Sequence, residues 1–496
     1  MLLKDILKEI PVTGTYDGNI EIADIIYDSR NGKPDTIFVC ISGFQTDGHK
    51  YAMDAYEKGV RVFAVEKKVE LPEDAVVLHT ESTRKFLALA SANFFGRPAE
   101  KLFTIAVTGT KGKTSTCYMM KSIFEASGKK VGIMGNIGIF YGDTVVHLNN
   151  NTPESFEIHK HLRGMVDAGC DMMIMEASSQ GLMMDRTYGI QYDVGLFTNL
   201  SPDHIGAFEH KDFDEYLTSK KKLFFQCKHG FANIDNEHFS RMTEGVPCPI
   251  TTFSMINDAD FRATDPKFTT GENCLQTEFT CLEKTASGVE KTLIDLNIPG
   301  YFTIYNAIGA ISVARRFGVP YPAIQEGLKK TFVKGRMEIV PIYKNYTVII
   351  DYAHNEVSVQ SLFETIKIYN PKRIISVFGC GGNRSKLRRA PMGEIIAKNS
   401  DISIVTSDNS RFERIEDIVQ DILVGVHRTN KEYVVIYDRK EAIHHAIDIA
   451  KKGDVILLIG KGHEDYEDIE GVKRPFSERQ IVLDYVAEKD RQQATN

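Results

Sequence analysis

An apolar run, Leu102 to Val107, leads directly into Thr108-Gly109-Thr110-Lys111-Gly112-Lys113-Thr114-Ser115, after which Ser115 to Ser127 carries a helical pattern. Strand, glycine-rich turn and helix in that order aim backbone N–H groups, a helix N-terminus and the Lys113 ammonium at one anion, and leave a hydroxyl for Mg²⁺. The segment therefore predicts a nucleoside triphosphate site built from Gly109, Thr110, Lys111, Gly112, Lys113, Thr114 and Ser115. It is a short variant of the general pattern, whose first glycine would fall at Val107. A tight strand-to-helix turn without a ligand is the alternative, and the Lys113-Thr114 pair weighs against it.

Length sets the frame, since 496 residues exceed one ordinary core and suggest about three domains of roughly 150 residues each. Lys and Arg number 60 against 67 Asp and Glu, a formal charge of −7, which argues against a nucleic-acid partner held by bulk electrostatics. The eight cysteines form no C-x-x-C pair, so neither structural zinc nor a disulfide framework is expected. Met1 to Ile10 carries Lys4, Asp5, Lys8 and Glu9, and no run approaches ~18 apolar residues. A cytoplasmic chain with no membrane insertion is the expectation.

Residues 1–100 hold short apolar runs, Thr36 to Ile41 and Val60 to Val65, and a helix over Tyr51 to Lys58; Arg97-Pro98-Ala99 then breaks the pattern. Beyond it, Leu102 to Val107, Asp171 to Met175, Asp193 to Phe197 and Gly230 to Ile234 alternate with helical segments, as in a parallel sheet covered on both faces. A second alternating set follows Gly335: Thr347 to Ile350, Arg373 to Phe378, Ile402 to Val405, Tyr433 to Tyr437 and Asp454 to Ile459. Each of these ends in polar or glycine-rich residues, where open α/β sheets bind ligands. The reading is an α/β protein of three domains, 1–100, 101–335 and 336–496, with two α/β domains facing a shared cleft. The polar tail Arg491 to Asn496 is expected to lack regular structure.

The P-loop, Asp28-Ser29-Arg30, Met175-Glu176-Ala177-Ser178-Ser179, Phe197-Thr198-Asn199-Leu200, Asp203-His204 and Gly335-Arg336-Met337-Glu338 occur in one order. Asp351-Tyr352-Ala353-His354, Phe378-Gly379-Cys380-Gly381-Gly382-Asn383-Arg384, Asp408-Asn409-Ser410-Arg411 and Gly460-Lys461-Gly462-His463-Glu464 follow. In this order and spacing the chain resembles the Mur ligase family, most closely its UDP-N-acetylmuramoyl-tripeptide synthetases. The resemblance implies an N-terminal domain for the uridine nucleotide, a central P-loop ATPase domain and a C-terminal Rossmann-like domain. It also implies ATP-dependent amide formation in peptidoglycan synthesis, in which a carboxylate attacks the γ-phosphate and an amine captures the acyl phosphate.

By the same resemblance Thr114 and Glu176 hold Mg²⁺, and His204 with a carbamylated Lys220 completes a metal-associated set alongside Lys113. Taken alone, Glu176 also reads as a solvated carboxylate, His204 as a structural histidine, and Lys221 and Lys222 as a solvated helix face. Asn306, Arg336 and Asp351 match the family's adenine, phosphate and ribose positions. Ser29, Arg30, His49, Asn151, Thr152, Ser179 and Arg186 match the UDP-N-acetylmuramoyl-dipeptide positions, and a monomer is expected.

Specificity for the incoming diamino acid rests on Asp408, Asn409 and Arg411, with Arg389, Gly460 and Glu464 in support. Asp-Asn-Pro-Arg accompanies meso-diaminopimelate in the family, and a guanidinium pairs with its distal carboxylate where it would repel the distal ammonium of lysine. Ser410 replaces that proline and removes a fixed φ. Lys111, Asn151, Gln180, Thr303 and Asn355-Glu356 also depart from the usual pattern. Because Asn151 and Gln180 lie near the acceptor positions, a paralogous ligase with another acceptor is the first alternative, and a catalytically silent binding subunit the second.

Overall fold

The computed structural model describes residues 1–43, 46–147, 152–203, 205–206, 209–271 and 274–495. Two compact units result: Met1–Arg262 with Tyr305–Gly327, and Ala263–Ile304 with Leu328–Asn496. The alternating apolar and helical pattern becomes α/β structure throughout, with helices between most parallel strands.

The first unit opens with β1 (Asp24–Ile26), β2 (Thr36–Val39), β3 (Val62–Val65) and β4 (Val76–His79), a parallel sheet in that order. Ser82 caps the helix Thr83–Phe94 by accepting from Lys85 N at 3.3 Å. That helix ends at Gly96 and Arg97, both with positive φ, before Pro98 starts a 3-10 turn. The proline thus closes the helix where the sequence pattern breaks.

A second sheet of this unit contains β5 (Phe103–Thr108), β6 (Val131–Gly135), β7 (Gly138–Tyr141), β8 (Thr144–Val146), β9 (Met172–Glu176), β10 (Tyr192–Phe197), β11 (Cys227–Asn233) and β12 (Ile250–Ser254). Their order is β12-β11-β10-β5-β9-β6-β7-β8, parallel except at β6-β7 and β7-β8. β5 lies between β9 and β10, so the P-loop, the Glu176 strand end and Phe197-Thr198-Asn199 emerge side by side at one carboxyl edge. Every residue of β9 is buried, as expected for a strand with helices on both faces.

β13 (Phe261–Gly271) opens beside β12 through Phe261 and Arg262. In the second unit β14 (Cys274–Thr285) and β15 (Gly288–Leu296) form a long antiparallel hairpin. The unit's other sheet contains β16 (Glu338–Val340), β17 (Thr347–Asp351), β18 (Ile374–Phe378), β19 (Ile402–Val405), β20 (Glu432–Val435) and β21 (Val455–Ile459), in the order β16-β17-β21-β18-β19-β20. Two apolar layers sandwich it, one around Phe363, Ile396 and Ile422, the other around Ile443, Ile447 and Val482. A small hairpin, β22 (Tyr466–Ile469) with β23 (Val472–Pro475), completes the strands.

The tail differs from expectation, because the helix Glu478–Thr495 runs through it. Gln492 Nε2 bonds Glu488 at 3.1 Å and Arg491 Nε bonds Ala487 O at 3.3 Å, so polar i,i+4 contacts continue the helix without an apolar stripe.

The helix Ser155–Asp167 buries His159 to 2% exposure, and neither ring nitrogen has a hydrogen-bond partner among the described residues. Burial, with Arg97 nearby, pushes the imidazole from 6.5 to about 4. The folded state therefore holds a neutral ring that the unfolded chain protonates first, so this contribution is complete above pH 6.5 and is lost as pH falls through about 4. Chemical denaturation across that window should show a stability slope worth roughly 3 kcal/mol at most from this site. His159→Leu should flatten the slope; an unchanged slope would contradict the assignment.

Candidate active site

The P-loop turns on two glycines. Gly109 has φ +149° and Gly112 φ +83°, and Gly112 caps the helix Lys113–Ala126. A Cβ on Gly109 would lie 2.0 Å from Thr198 Oγ1, and one on Gly112 would lie 2.2 Å from Asn306 Oδ1. Asn306 is thus packed against the phosphate-loop turn. The loop is braced from β10's end: Thr110 N donates to Asn199 O at 2.8 Å, Lys111 N to Asn199 Oδ1 at 3.0 Å, and Thr198 Oγ1 to Lys111 O at 2.8 Å. These two residues figured in the sequence only as part of the family pattern, and their spacing from the P-loop gave no hint of that contact.

Two ammonium groups converge on one carbonyl. Lys113 Nζ donates to Gly109 O at 2.8 Å and Thr110 O at 3.0 Å, and Lys220 Nζ donates to the same Gly109 O at 2.8 Å. Lys220 sits two turns into the helix Phe213–Phe225, which Asp212 caps, and its ammonium lies 4.5 Å from the ring of Tyr216, one turn earlier. Burial and the Lys113 charge hold Lys220 well below the ordinary lysine range, Asp203 opposing. Lys222 is not simply a solvated face, because it reaches Leu182 O, Met183 O and Asp185. His204, expected beside this pair, lies outside the described residues.

Thr114 Oγ1 donates to Glu176 Oε1 at 2.9 Å, and Asn136 N donates to the same oxygen at 2.9 Å. Gly135 permits this approach, since a Cβ there would meet Glu176 Oε1 at 2.4 Å. A buried carboxylate held against a P-loop hydroxyl is a hard-oxygen pair suited to Mg²⁺. It is not the solvated carboxylate that the strand-end position alone allowed.

At the acceptor positions, Thr152 is fully buried; its hydroxyl donates to Glu176 O at 2.9 Å and accepts from Ser178 N at 3.0 Å. Arg186 bonds Thr152 O at 2.8 Å and pairs with Glu154 at 2.8 Å, which also meets Arg84. Thr152, Ser179 and Arg186 are thus brought together next to Glu176, with Thr152 acting as a brace; Asn151 lies outside the described residues. Arg30 is exposed and chelated by Asp28, and Ser29 begins the same 3-10 turn. His49 Nδ1 pairs with Asp47 at 2.6 Å and its Nε2 accepts from Glu66 N at 3.0 Å.

In the second unit Asp351 is likewise internal. Its oxygens accept from Met337 N and Ala353 N, each at 2.8 Å, and burial raises its pKa, Arg336 opposing. Arg336 stacks over Tyr352 at 4.8 Å. At the carboxyl edge of the sheet a cavity of about 270 Å³ is lined by Arg384, Arg388, Asp408, Asn409, Arg411 and Glu464 together with Gly460. Arg389 does not line it. Its side chain is fully buried and pairs with Glu413 and Asp421 at 2.9 Å each, and the arginines that line the cavity are Arg384, Arg388 and Arg411.

The segment Asp408–Arg411 is pinned despite Ser410. Gly382 N donates to Asn409 O at 2.8 Å, Arg411 N to Asp468 O at 2.9 Å and Glu470 N to Arg411 O at 2.7 Å. Arg411 takes φ +51°, and its guanidinium reaches Gly382 O at 2.8 Å with Asp468 at 3.7 Å. Asn409 joins the set, donating to Glu464 Oε2 at 2.6 Å and accepting from Lys461 Nζ and Asp468 N at 3.0 Å. Burial and Asp408 push the Glu464 carboxyl up.

Three family models match the chain: the Mur ligase family catalytic domain over residues 21–95, the Mur ligase middle domain over 107–314, and the Mur ligase glutamate ligase domain over 335–462. The UDP-N-acetylmuramoyl-L-alanyl-D-glutamate--2,6-diaminopimelate ligase of Clostridium perfringens (strain 13 / Type A) is 39% identical over 99% of this chain and 100% of its own. The ligase of the same name from Clostridium tetani (strain Massachusetts / E88) is 40% identical over 98% and 100%. Among solved structures, one of a UDP-N-acetylmuramoyl-L-alanyl-D-glutamate--2,6-diaminopimelate ligase superposes with a TM-score of 0.71 at 24% identity, covering 99% of each chain. MurF ligase from Thermotoga maritima in complex with ADP gives 0.59 at 16%, over 95% and 99%.

Gly112→Ala should weaken binding of a non-hydrolysable ATP analogue by roughly 10-fold or more, from the positive φ and the Asn306 clash together. Gly128, with φ +88° and nothing within 4 Å of where a Cβ would lie, supplies the control. Gly128→Ala should carry the backbone cost alone and leave affinity unchanged in calorimetric titration.

Proposed function

Because the chain belongs to the Mur ligase family, we propose that it joins meso-diaminopimelate to UDP-N-acetylmuramoyl-L-Ala-D-Glu in peptidoglycan synthesis, hydrolysing ATP to ADP and phosphate. The acceptor carboxylate takes the γ-phosphoryl group and releases ADP; the amine then attacks the acyl carbon, forming the amide and expelling phosphate. The observation that carries the amino-acid assignment is the cavity of Arg411, Asp408, Asn409, Gly460 and Glu464. It brings a guanidinium and the half-buried Glu464 carboxyl to one space, which matches an amino acid whose far end bears both a carboxylate and an ammonium.

Lys113, with the N–H groups of the P-loop turn, would hold the ATP phosphates, Asn306 the base, and Arg336 and Asp351 the remainder of the nucleotide. Thr114 and Glu176 supply the hydroxyl and carboxylate for Mg²⁺, with His204 completing the set; the ion would neutralise the crowded phosphate and carboxylate oxygens. Lys220 suits carbamylation because its depressed pKa favours the free amine, whose nitrogen adds to the carbon of CO₂ to give a carbamate and a released proton. Thr152, Ser179 and Arg186 with Ser29 and Arg30 would hold the acceptor. Asn151 and His49 belong to this acceptor set by family position. Arg389 would act from beneath the amino-acid cavity through Glu413. We retain three domains, 1–100, 101–335 and 336–496, and a cytoplasmic monomer; no helix among the described residues is long and apolar enough to cross a membrane.

Phosphate release should require both the dipeptide acceptor and meso-diaminopimelate, with L-lysine a poor substitute. Arg411→Ala should lower kcat/KM for diaminopimelate about 100-fold, the value of a paired charged contact, and spare the KM for ATP. Silence with both amino acids would favour a paralogous ligase for another acceptor, the reading that Gln180 and Asn151 motivate. Under ¹³CO₂ the wild-type protein should give a carbamate carbon signal that Lys220→Arg lacks; a free amine alone would overturn the modification.

A further inference from the structure

Arg439 opens the helix Arg439–Ile449, where the positive end of the helix dipole disfavours a cation, yet it is buried to 1% exposure. Its guanidinium accounts for the position. Nε donates to Glu478 Oε1 at 2.9 Å, one terminal nitrogen to Ser407 O at 2.9 Å and the other to Ile459 O at 3.0 Å. Glu478, 3% exposed, begins the final helix. Neither residue lines the amino-acid cavity.

The two carbonyls belong to the residues immediately before Asp408 and Gly460, both of which do line it. Ser407 follows β19 and Ile459 ends β21, strands that are not neighbours, since β18 lies between them. No ladder hydrogen bond can therefore set the distance between these two ends. The planar fork of one arginine spans β18 and does so with fixed geometry. The separation it fixes is tight: a Cβ on Gly460 would lie 3.0 Å from Asp408 Oδ2.

We propose that Arg439, held in orientation by Glu478, is a positioning residue that sets the width of the amino-acid cavity and thereby its selectivity for a diamino acid with a distal carboxylate. This rests on the amino-acid site proposed above. Lysine cannot replace it, because a single ammonium cannot serve two carbonyls and a carboxylate in the same plane.

The test separates positioning from simple fold support. Arg439→Met strands Glu478 and should destabilise; Arg439→Met combined with Glu478→Leu removes both charges and should recover most of the melting temperature. The KM for diaminopimelate should stay raised roughly 10-fold or more in both variants, with the preference over L-lysine reduced and the KM for ATP unchanged, because the two carbonyls remain unbridged. Amide hydrogen exchange over residues 406–412 and 459–464 should be faster in the double variant. Recovery of the KM and of exchange protection along with stability would overturn the proposal. The exchange measurement needs no substrate, so an inactive wild-type protein would count against the ligase reading while Arg439 is still tested.

Discussion

The carbonyl of Gly109 receives two ammonium groups, the buried Lys220 and the half-buried Lys113, and the first unit's chemistry is arranged around that point. One comes from the first residue of the helix after the P-loop, the other from a helix more than a hundred residues later, so the contact ties loop, sheet edge and helix together. Two like charges at one neutral oxygen are a poor resting arrangement in a buried site. The repulsion is relieved either by anions supplied to Lys113 or by loss of the Lys220 proton, and it adds to burial, the larger cause, in holding Lys220 below the ordinary lysine range. Around it, Thr198 and Asn199 hold the loop backbone so that the lysines do not have to.

Sequence patterning located most strands that are buried on both faces almost to the residue, β5, β9, β18, β19 and β21 among them, because continuous apolar runs leave no other place to go, whereas the equally buried β6 is broken by Gly132 and Gly135. It missed β6 to β8 and the β14-β15 hairpin. In β15 the exposed residues Glu290 and Lys291 sit in a run whose burial begins only toward Leu296, so a polar edge strand reads as loop. The helical tail was misjudged for the converse reason: its side chains satisfy one another locally and show no apolar period.

Site residues divided in a similar way. The strand, turn and helix around Gly109 and Gly112 were legible because the turn itself dictates residue type. His49, Thr152 and Arg389, which the family resemblance offers to a ligand, also bond neighbouring backbone and carboxylates in the folded chain. Lys222, expected in solvent, does the same for a helix end. Which donor a polar side chain meets depends on residues far away along the chain, and that information is absent from local spacing.

The segment Asp408–Arg411 is stitched to the β22-β23 hairpin by backbone bonds on both sides of Arg411, while Asn409 reaches the same hairpin through Asp468 N. Loop and hairpin therefore behave as a single cassette. A different four-residue loop on this scaffold would keep those main-chain bonds only if it accepted the positive φ of position 411, and without Asn409 it would leave Asp468 N unmatched, so loop and hairpin constrain each other's sequence.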